Sequence, residues 1–221
     1  MNENKLKSKV LYFGDSISGG YTKGLTELLS GKADLVKLGA VAGYRVQTEP
    51  LWKARRPAIN LDFGSAKACI SDFDRFEKHI SEAKYDLIHF NFGLNDIFRG
   101  REGSWYNPPE NYAEDLTKIV ELLKDNCKKI IWANTTPIPL NDPTRPVGDD
   151  LIYNNAAEKV MAKYNIPIND LHSVITDWQG FDEWRKGDDV HFSDEVSFTL
   201  AEQVMKVMLS LLDQPEDSRA Q

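Results

Sequence analysis

Short apolar runs alternate with stretches of helical period along this chain, and that alternation limits the fold more than any other feature. Val10-Leu11-Tyr12-Phe13 ends at Gly14, Asp34-Leu35-Val36-Lys37-Leu38 ends at Gly39, and the run 85–92 ends at Gly93. Lys129-Ile130-Ile131-Trp132-Ala133-Asn134 and Ile166-Pro167-Ile168-Asn169-Asp170-Leu171 complete a set of strand candidates. Between them, residues 21–30 place Leu25, Leu28 and Leu29 at helical spacing. Phe73, Phe76 and Ile80 do the same in 72–83, and Leu116, Ile119, Val120 and Leu123 in 110–126. Asn107-Pro108-Pro109 marks the start of the latter helix. Further helices are predicted over 149–164 and 194–212, the last capped at Ser193 or Asp194. Residues 43–71 show no sustained period and read as a long loop, a type of excursion that is often functional.

Apolar strands with little polar alternation, separated by helices, predict a parallel sheet covered on both faces. The expected architecture is α/β: a single-domain, three-layer α/β/α sandwich with a mostly parallel five-stranded sheet, flavodoxin-like. A length of 221 residues suits one such unit. Residues 8–213 are expected to form it, with 1–7 and 214–221 as disordered termini. In sheets of this kind ligands bind beyond the C-terminal ends of the strands. Ser16, the segment 93–96 and Thr136-Pro137 all fall just past strand ends, hence on one rim.

The formal net charge of -7 opposes binding to nucleic acid through phosphate neutralisation. No apolar stretch approaches the ~20 residues needed to span a membrane, so neither nucleic acid nor membrane is an expected partner. The first apolar run reads as a strand, not a signal peptide. The expected location is cytoplasmic, or secreted or periplasmic if a leader has been removed. Cys69 and Cys127, the only two cysteines, have no CxxC or metal spacing. The histidines form no zinc motif, and Ser16-Ile17-Ser18-Gly19-Gly20 lacks the dinucleotide fingerprint. No metal or other cofactor is expected.

The chemistry-bearing residues sit at the ends of those strands. Phe13-Gly14-Asp15-Ser16 supplies a serine, whose hydroxyl needs a base to become a nucleophile. Asp188-Asp189-Val190-His191 supplies a histidine with a carboxylate three residues before it. Gly93-Leu94-Asn95-Asp96 supplies an uncharged amide donor. Serine, donor and base with carboxylate are the components of a serine hydrolase. Taken singly, each has a plainer reading: Ser16 as a cap, Asn95 as a turn residue, Asp188 and Asp189 as a solvated acidic turn, His191 as a structural histidine. Asp15 and Asp96 read as residues that tie turns, and His89, inside an apolar strand, as structural.

Together, Gly14-Asp15-Ser16, the glycine-bearing Gly39-Ala40-Val41-Ala42-Gly43, Gly93-Leu94-Asn95-Asp96 and Asp188-x-x-His191 resemble the four sequence blocks of the SGNH (GDSL) hydrolases, in order and after matching elements. The resemblance spans about residues 11–212. It implies that Ser16 is the nucleophile, His191 the general base and then acid, and Asp188 the group that orients the imidazole. It further implies an oxyanion hole of the Ser16 and Gly43 backbone N–H groups and the Asn95 amide. Asp189 stands where many relatives have glycine.

Aromatic and cationic residues gather in the expected rim segments: Trp52, Arg55 and Arg56; Phe98, Arg99, Arg101, Trp105 and Tyr106; Trp178 and Trp184. Arg99, Trp105 and Tyr106 are the candidates for substrate contact, since aromatics stack on sugar rings and arginine holds carboxylates. The overall style of the chain resembles bacterial carbohydrate-esterase-like members of the family. The expectation is therefore a small-molecule or saccharide ester substrate, with a short acyl group such as acetyl on a polar alcohol. A thioesterase or lysophospholipase-type hydrolase, an acyltransferase, or a binding module without catalysis are the alternatives; the oligomeric state is left open.

Overall fold

The computed structural model describes residues 7–38, 63–100, 103 and 106–215. Five strands form the sheet: β1 (Ser8–Gly14), β2 (Ala33–Leu38), β3 (Leu87–Asn91), β4 (Ile130–Ala133) and β5 (Ile168–Asn169). Their order is β2-β1-β3-β4-β5, and every neighbouring pair is parallel. The expected flavodoxin-like sheet is therefore present, with no antiparallel member among the described strands. Its helices are α1 (Ser16–Gly20), α2 (Thr22–Leu28), α3 (Ala66–Ser71), α4 (Phe73–Ser81), α5 (Pro109–Asn126), α6 (Asp149–Lys163), α7 (Leu171–Thr176), α8 (Phe181–Arg185) and α9 (Asp194–Leu212). One layer is built on the packing of α2 against α9, joined by α1 and α7; the other on α5, which touches α3, α4 and α6.

All four residues of the run 10–13 are buried, because helices cover both sheet faces. Phe13 stacks with Phe90 at 5.6 Å and meets Phe76 of α4 edge-on at 5.6 Å. Each such ring contributes roughly 1.5–3 kcal/mol through burial, so this aromatic cluster is a main weld between the central strands and one helical layer. Facing the other layer, Tyr12 donates to Thr22 of α2 at 3.3 Å. On that side a polar thread crosses the core: His89 Nε2 meets Asn169 Nδ2 at 3.2 Å, and Gln203 of α9 donates to Asn169 at 3.0 Å.

Where the sequence predicts a structureless run over 43–71, the described part ends in α3, capped by Ser65, whose Oγ accepts from Ala68 N. Residues 43–62 lie outside the described residues. The short helices α1, α7 and α8 are also absent from the sequence reading; none is long enough to display a hydrophobic period. Among the described residues no helix is long and apolar enough to cross a membrane.

The strand order changes direction between β1 and β3, which places the ligand crevice beyond their C-terminal ends. There Gly14 lies opposite Asn91 in register, and a Cβ on Gly14 would sit 2.3 Å from Asn91 Oδ1. Gly93, at the equivalent end of β3, would clash with Thr135 at 2.6 Å. Both glycines are set by close approach of neighbouring chain.

Burial, reinforced by the charge of Lys37, drives the pKa of His89 down to about 3, so its imidazole is neutral when the protein is folded. Between pH 3 and 6.5 the unfolded state binds the extra proton, so this residue's contribution to stability grows as pH rises through that window and is complete above it. The difference in unfolding free energy between wild type and His89→Gln, from urea titrations, is expected to rise with pH from 3 to 6.5 and to be flat above; the maximal slope is about 1.4 kcal/mol per pH unit.

Candidate active site

Ser16 is the first residue of α1, immediately past the end of β1, and is half-exposed. The turn that carries it is tied on three sides. Asp15 caps the helix, accepting from Ile17 N at 3.0 Å, and its Oδ1 also accepts from Asn91 Nδ2 at 2.9 Å. Ser18 Oγ donates to the Asp15 carbonyl at 2.7 Å, and Lys37 Nζ donates to Ser18 Oγ at 2.5 Å. Burial raises the pKa of the Asp15 carboxyl, against the pull of Ile17 N–H, Asn91 and Lys37. Burial lowers Lys37 to about 8, with Asp15 opposing. Asp15 is thus a turn-fixing residue.

His191 arrives from the far end of the chain, in the segment between α8 and the Ser193 cap of α9. Its Nε2 lies 2.8 Å from Ser16 Oγ, across a sequence separation of 175 residues. Its Nδ1 lies 2.7 Å from Asp189 Oδ1, which also accepts the His191 backbone N–H at 3.0 Å. An ionised carboxylate only accepts, so Nδ1 carries the ring proton and Nε2 is left to accept from the serine hydroxyl. Partial burial works against the charge on Asp189. The His191 N–H, the imidazole and, farther off, Arg145 outweigh it and hold the carboxyl below the usual carboxylate range.

The sequence reading expects Asp188 beside the imidazole; the structure sets Asp189 there. Asp188 is exposed, and the carboxylate on Nδ1 belongs to Asp189. Val190, between Asp189 and His191, is buried at 3% exposure, while Asp188, Asp189 and His191 are all exposed; the Asp189 carboxylate reaches both the backbone N–H and the Nδ1 of the residue two positions on.

The other candidates divide. Asn95 lies in the loop after β3, the strand paired with β1, and one of its amide N–H groups donates to the Gly64 carbonyl at 2.9 Å. Asp96 is fully buried and accepts from Ala66 N, Lys67 N and Asn107 Nδ2. Burial pushes its pKa up to about 7, against those three donors. Arg99 Nη2 pairs with Asp149 at 2.5 Å, at the start of α6, which commits it to a protein carboxylate. Tyr106 is half-buried under the ammonium of Lys67, 4.7 Å from its ring centroid. Arg99 and Tyr106 thus have protein partners where substrate contacts were expected. Gly43, Trp105, Trp52, Arg55, Arg56 and Arg101 lie outside the described residues.

Two residues act near the site through backbone contacts: Arg145, which has no signal in the sequence reading, and Trp184, which the sequence shows only as a rim aromatic. Arg145, on the loop after β4, donates through Nε to the Leu94 carbonyl at 2.6 Å and through Nη1 to Asp142 at 3.1 Å. Trp184 of α8 donates its indole N–H to the His191 carbonyl at 3.2 Å and lies against Phe192, ring centroids 4.7 Å apart. Both act through backbone carbonyls, which carry no side-chain identity for a motif to show.

A half-exposed serine hydroxyl against an imidazole, at the crevice of a doubly wound sheet, is the arrangement found in serine hydrolases. The profile of the GDSL-like Lipase/Acylhydrolase family matches residues 12–196, from β1 into α9. The chain belongs to this family, the SGNH/GDSL hydrolases, and is an ester hydrolase. Several solved structures share its fold. The lipase/acylhydrolase from Enterococcus faecalis is 17% identical, with TM-score 0.64 over 92% of this chain and 96% of that one. Acetyl xylan esterase AlAXEase is 17% identical, with TM-score 0.65 over 90% and 98%. Axe2, an acetylxylan esterase from Geobacillus stearothermophilus, is 19% identical, with TM-score 0.60 over 96% and 97%. A comparison with curated proteins gave no match.

The two aspartates are separable by mutation. Asp189→Ala is expected to lower kcat/KM for p-nitrophenyl acetate on the order of 10³-fold, by analogy with loss of the acid in other triads. Asp188→Ala is expected to stay within about 3-fold of wild type. Steady-state kinetics of the pair checks the assignment, and the reverse ranking would restore Asp188.

Proposed function

We propose that this protein is a serine esterase that removes short acyl groups, acetyl above all, from a carbohydrate or other polar alcohol through an acyl-Ser16 intermediate. The observation that carries the reading is the continuous line from Asp189 through His191 to Ser16 Oγ, with contacts of 2.7 and 2.8 Å. As Oγ bonds to the ester carbonyl carbon, its proton passes to Nε2 and the carbonyl electrons move onto oxygen. Asp189 stabilises the imidazolium that results. The oxyanion is met by the Ser16 N–H and the second N–H of the Asn95 amide, with Gly43 as the third donor. Each such donor is worth about 3 kcal/mol in the transition state. Collapse of the tetrahedral intermediate breaks the C–O bond to the alcohol, which leaves with the proton held on Nε2. Water then repeats the sequence with the acyl-serine: His191 takes its proton, the acid is released, and Ser16 is regenerated.

The preference for acetyl esters of sugars is supported by two considerations. Two of the proteins with this fold are named as acetyl xylan esterases. Beside His191, Phe181, Trp184 and Phe192 form a partly exposed aromatic stack, with Phe181 and Trp184 centroids 6.1 Å apart. Such faces suit the apolar side of a sugar ring.

Ser16→Ala is expected to abolish turnover of p-nitrophenyl acetate, by on the order of 10⁴-fold or more, with the circular dichroism spectrum unchanged. A fluorophosphonate probe should add one adduct to wild type and none to the variant, by intact-mass spectrometry. Near-normal activity in the variant would remove Ser16 as nucleophile. On acetylated xylo-oligosaccharides against p-nitrophenyl esters of increasing length, kcat/KM should be highest for the acetylated sugars and fall as the acyl chain lengthens.

A further inference from the structure

Asn95 and Asp96 are adjacent in sequence and grip the same short strap of backbone, residues 63–67, at two points. Asn95 Nδ2 donates to the Gly64 carbonyl at 2.9 Å. One residue on, the Asp96 carboxylate accepts Ala66 N at 3.1 Å on Oδ2 and Lys67 N at 3.2 Å on Oδ1. Oδ1 also accepts Asn107 Nδ2 at 2.9 Å, and Asn107 reaches on to Asp115 at 3.1 Å. The strap is anchored at its other end by Phe63, buried against Phe76 with ring centroids 5.3 Å apart, and by the Ser65 cap of α3. The Asp96 side chain is wholly buried, so it is not open to substrate as a reactant would be.

A primary amide has two orientations of nearly equal shape, exchanged by rotation about its last torsion, and they present opposite chemistry. Only one of them offers N–H to a developing oxyanion; the other offers oxygen and repels it. The Gly64 carbonyl is an acceptor only. It selects the orientation with nitrogen toward the strap and leaves the second N–H of that nitrogen to point elsewhere. Such fixed donors cost no reorganisation at the moment of reaction.

We infer that Asp96 is a positioning residue of the oxyanion hole: by clasping Ala66 and Lys67 it holds the Gly64 carbonyl where it locks the Asn95 amide with its N–H toward the substrate. This rests on the reading of Asn95 as an oxyanion donor. Asp96 touches no substrate atom, so its effect travels through Asn95 and is felt in the transition state. Asp96→Asn keeps the volume but replaces an acceptor oxygen with a donor that opposes the strap's own N–H groups.

The test is a double-mutant cycle on p-nitrophenyl acetate with Asn95→Ala, Asp96→Asn and the two combined, each checked by circular dichroism and thermal melting. Asn95→Ala should lower kcat by about 10²–10³-fold. Asp96→Asn should lower kcat about tenfold or more with KM within about twofold, the signature of a loss confined to the transition state. The combined variant should be no slower than Asn95→Ala alone, because there is no amide left to orient. Multiplicative losses, or a normal kcat in Asp96→Asn, would overturn the inference while leaving the acyl-serine reading intact. A normal kcat in Asn95→Ala would overturn the oxyanion assignment itself, and this inference with it. If Asp96→Asn does not fold, the same cycle with Asn107→Ala, which removes one of the three donors to the Asp96 carboxylate, decides by the same criteria at a smaller kcat loss.

Discussion

Gly14 and Asn91 meet where β1 and β3 end, with no room for a Cβ between them. That contact sets everything around it. It aligns two neighbouring parallel strands so that their following loops leave side by side. It also brings Asn91 within reach of Asp15, which fixes the turn that carries Ser16. Asn91 Oδ1 in turn accepts from Tyr21 OH at 3.1 Å, which ties the same point to the helical layer behind the turn. The serine therefore stands on a backbone fixed by the sheet, and the Asn95 loop stands one strand away.

The histidine reaches this rim by a different route. It depends on α9, which packs along α2 and beneath the sheet, and on the Ser193 cap that begins α9. A second set of contacts steadies the approach: the loop after β4 bonds to the last residue of α8 and to the turn after it, with Leu140 N donating to the Arg185 carbonyl at 2.7 Å and Asn141 N to the Gly187 carbonyl at 3.2 Å. The same loop delivers Arg145 to the Leu94 carbonyl. One connection thus bonds both to the segment that leads to His191 and to the loop that carries Asn95.

Much of this was readable from the residues. The strand candidates before Gly14 and Gly93 end at glycines because neighbouring chain comes close there, and long amphipathic stretches such as 109–126 carry enough turns for their period to show. Asp15 and Asp96 were read as turn-tying groups and His89 as structural, and the contacts of all three are of that kind. The sequence reading missed whatever lacks a period or a side-chain signal. α1, α7 and α8 have one or two turns each. β5 is only two residues long because Asp170 caps α7 directly after it. That Asp189 and not Asp188 meets His191 Nδ1 is a fact of local backbone geometry, which a spacing along the chain does not carry. Arg99 looked available as a cationic residue after β3, but Asp149 at the start of α6 is distant in sequence and invisible to a local reading.

That a single residue separates Asp189 from His191 has a further effect. Asp189, Val190 and His191 form a self-contained unit whose internal hydrogen bonds ask nothing of the remainder of the chain. If α8 and the start of α9 swing away from the sheet, carboxylate and imidazole travel as one body, and the tautomer of the ring survives the excursion. Such breathing would interrupt proton transfer solely by stretching the gap to Ser16, so the machinery would re-arm on closure without having to sort out its protons afresh.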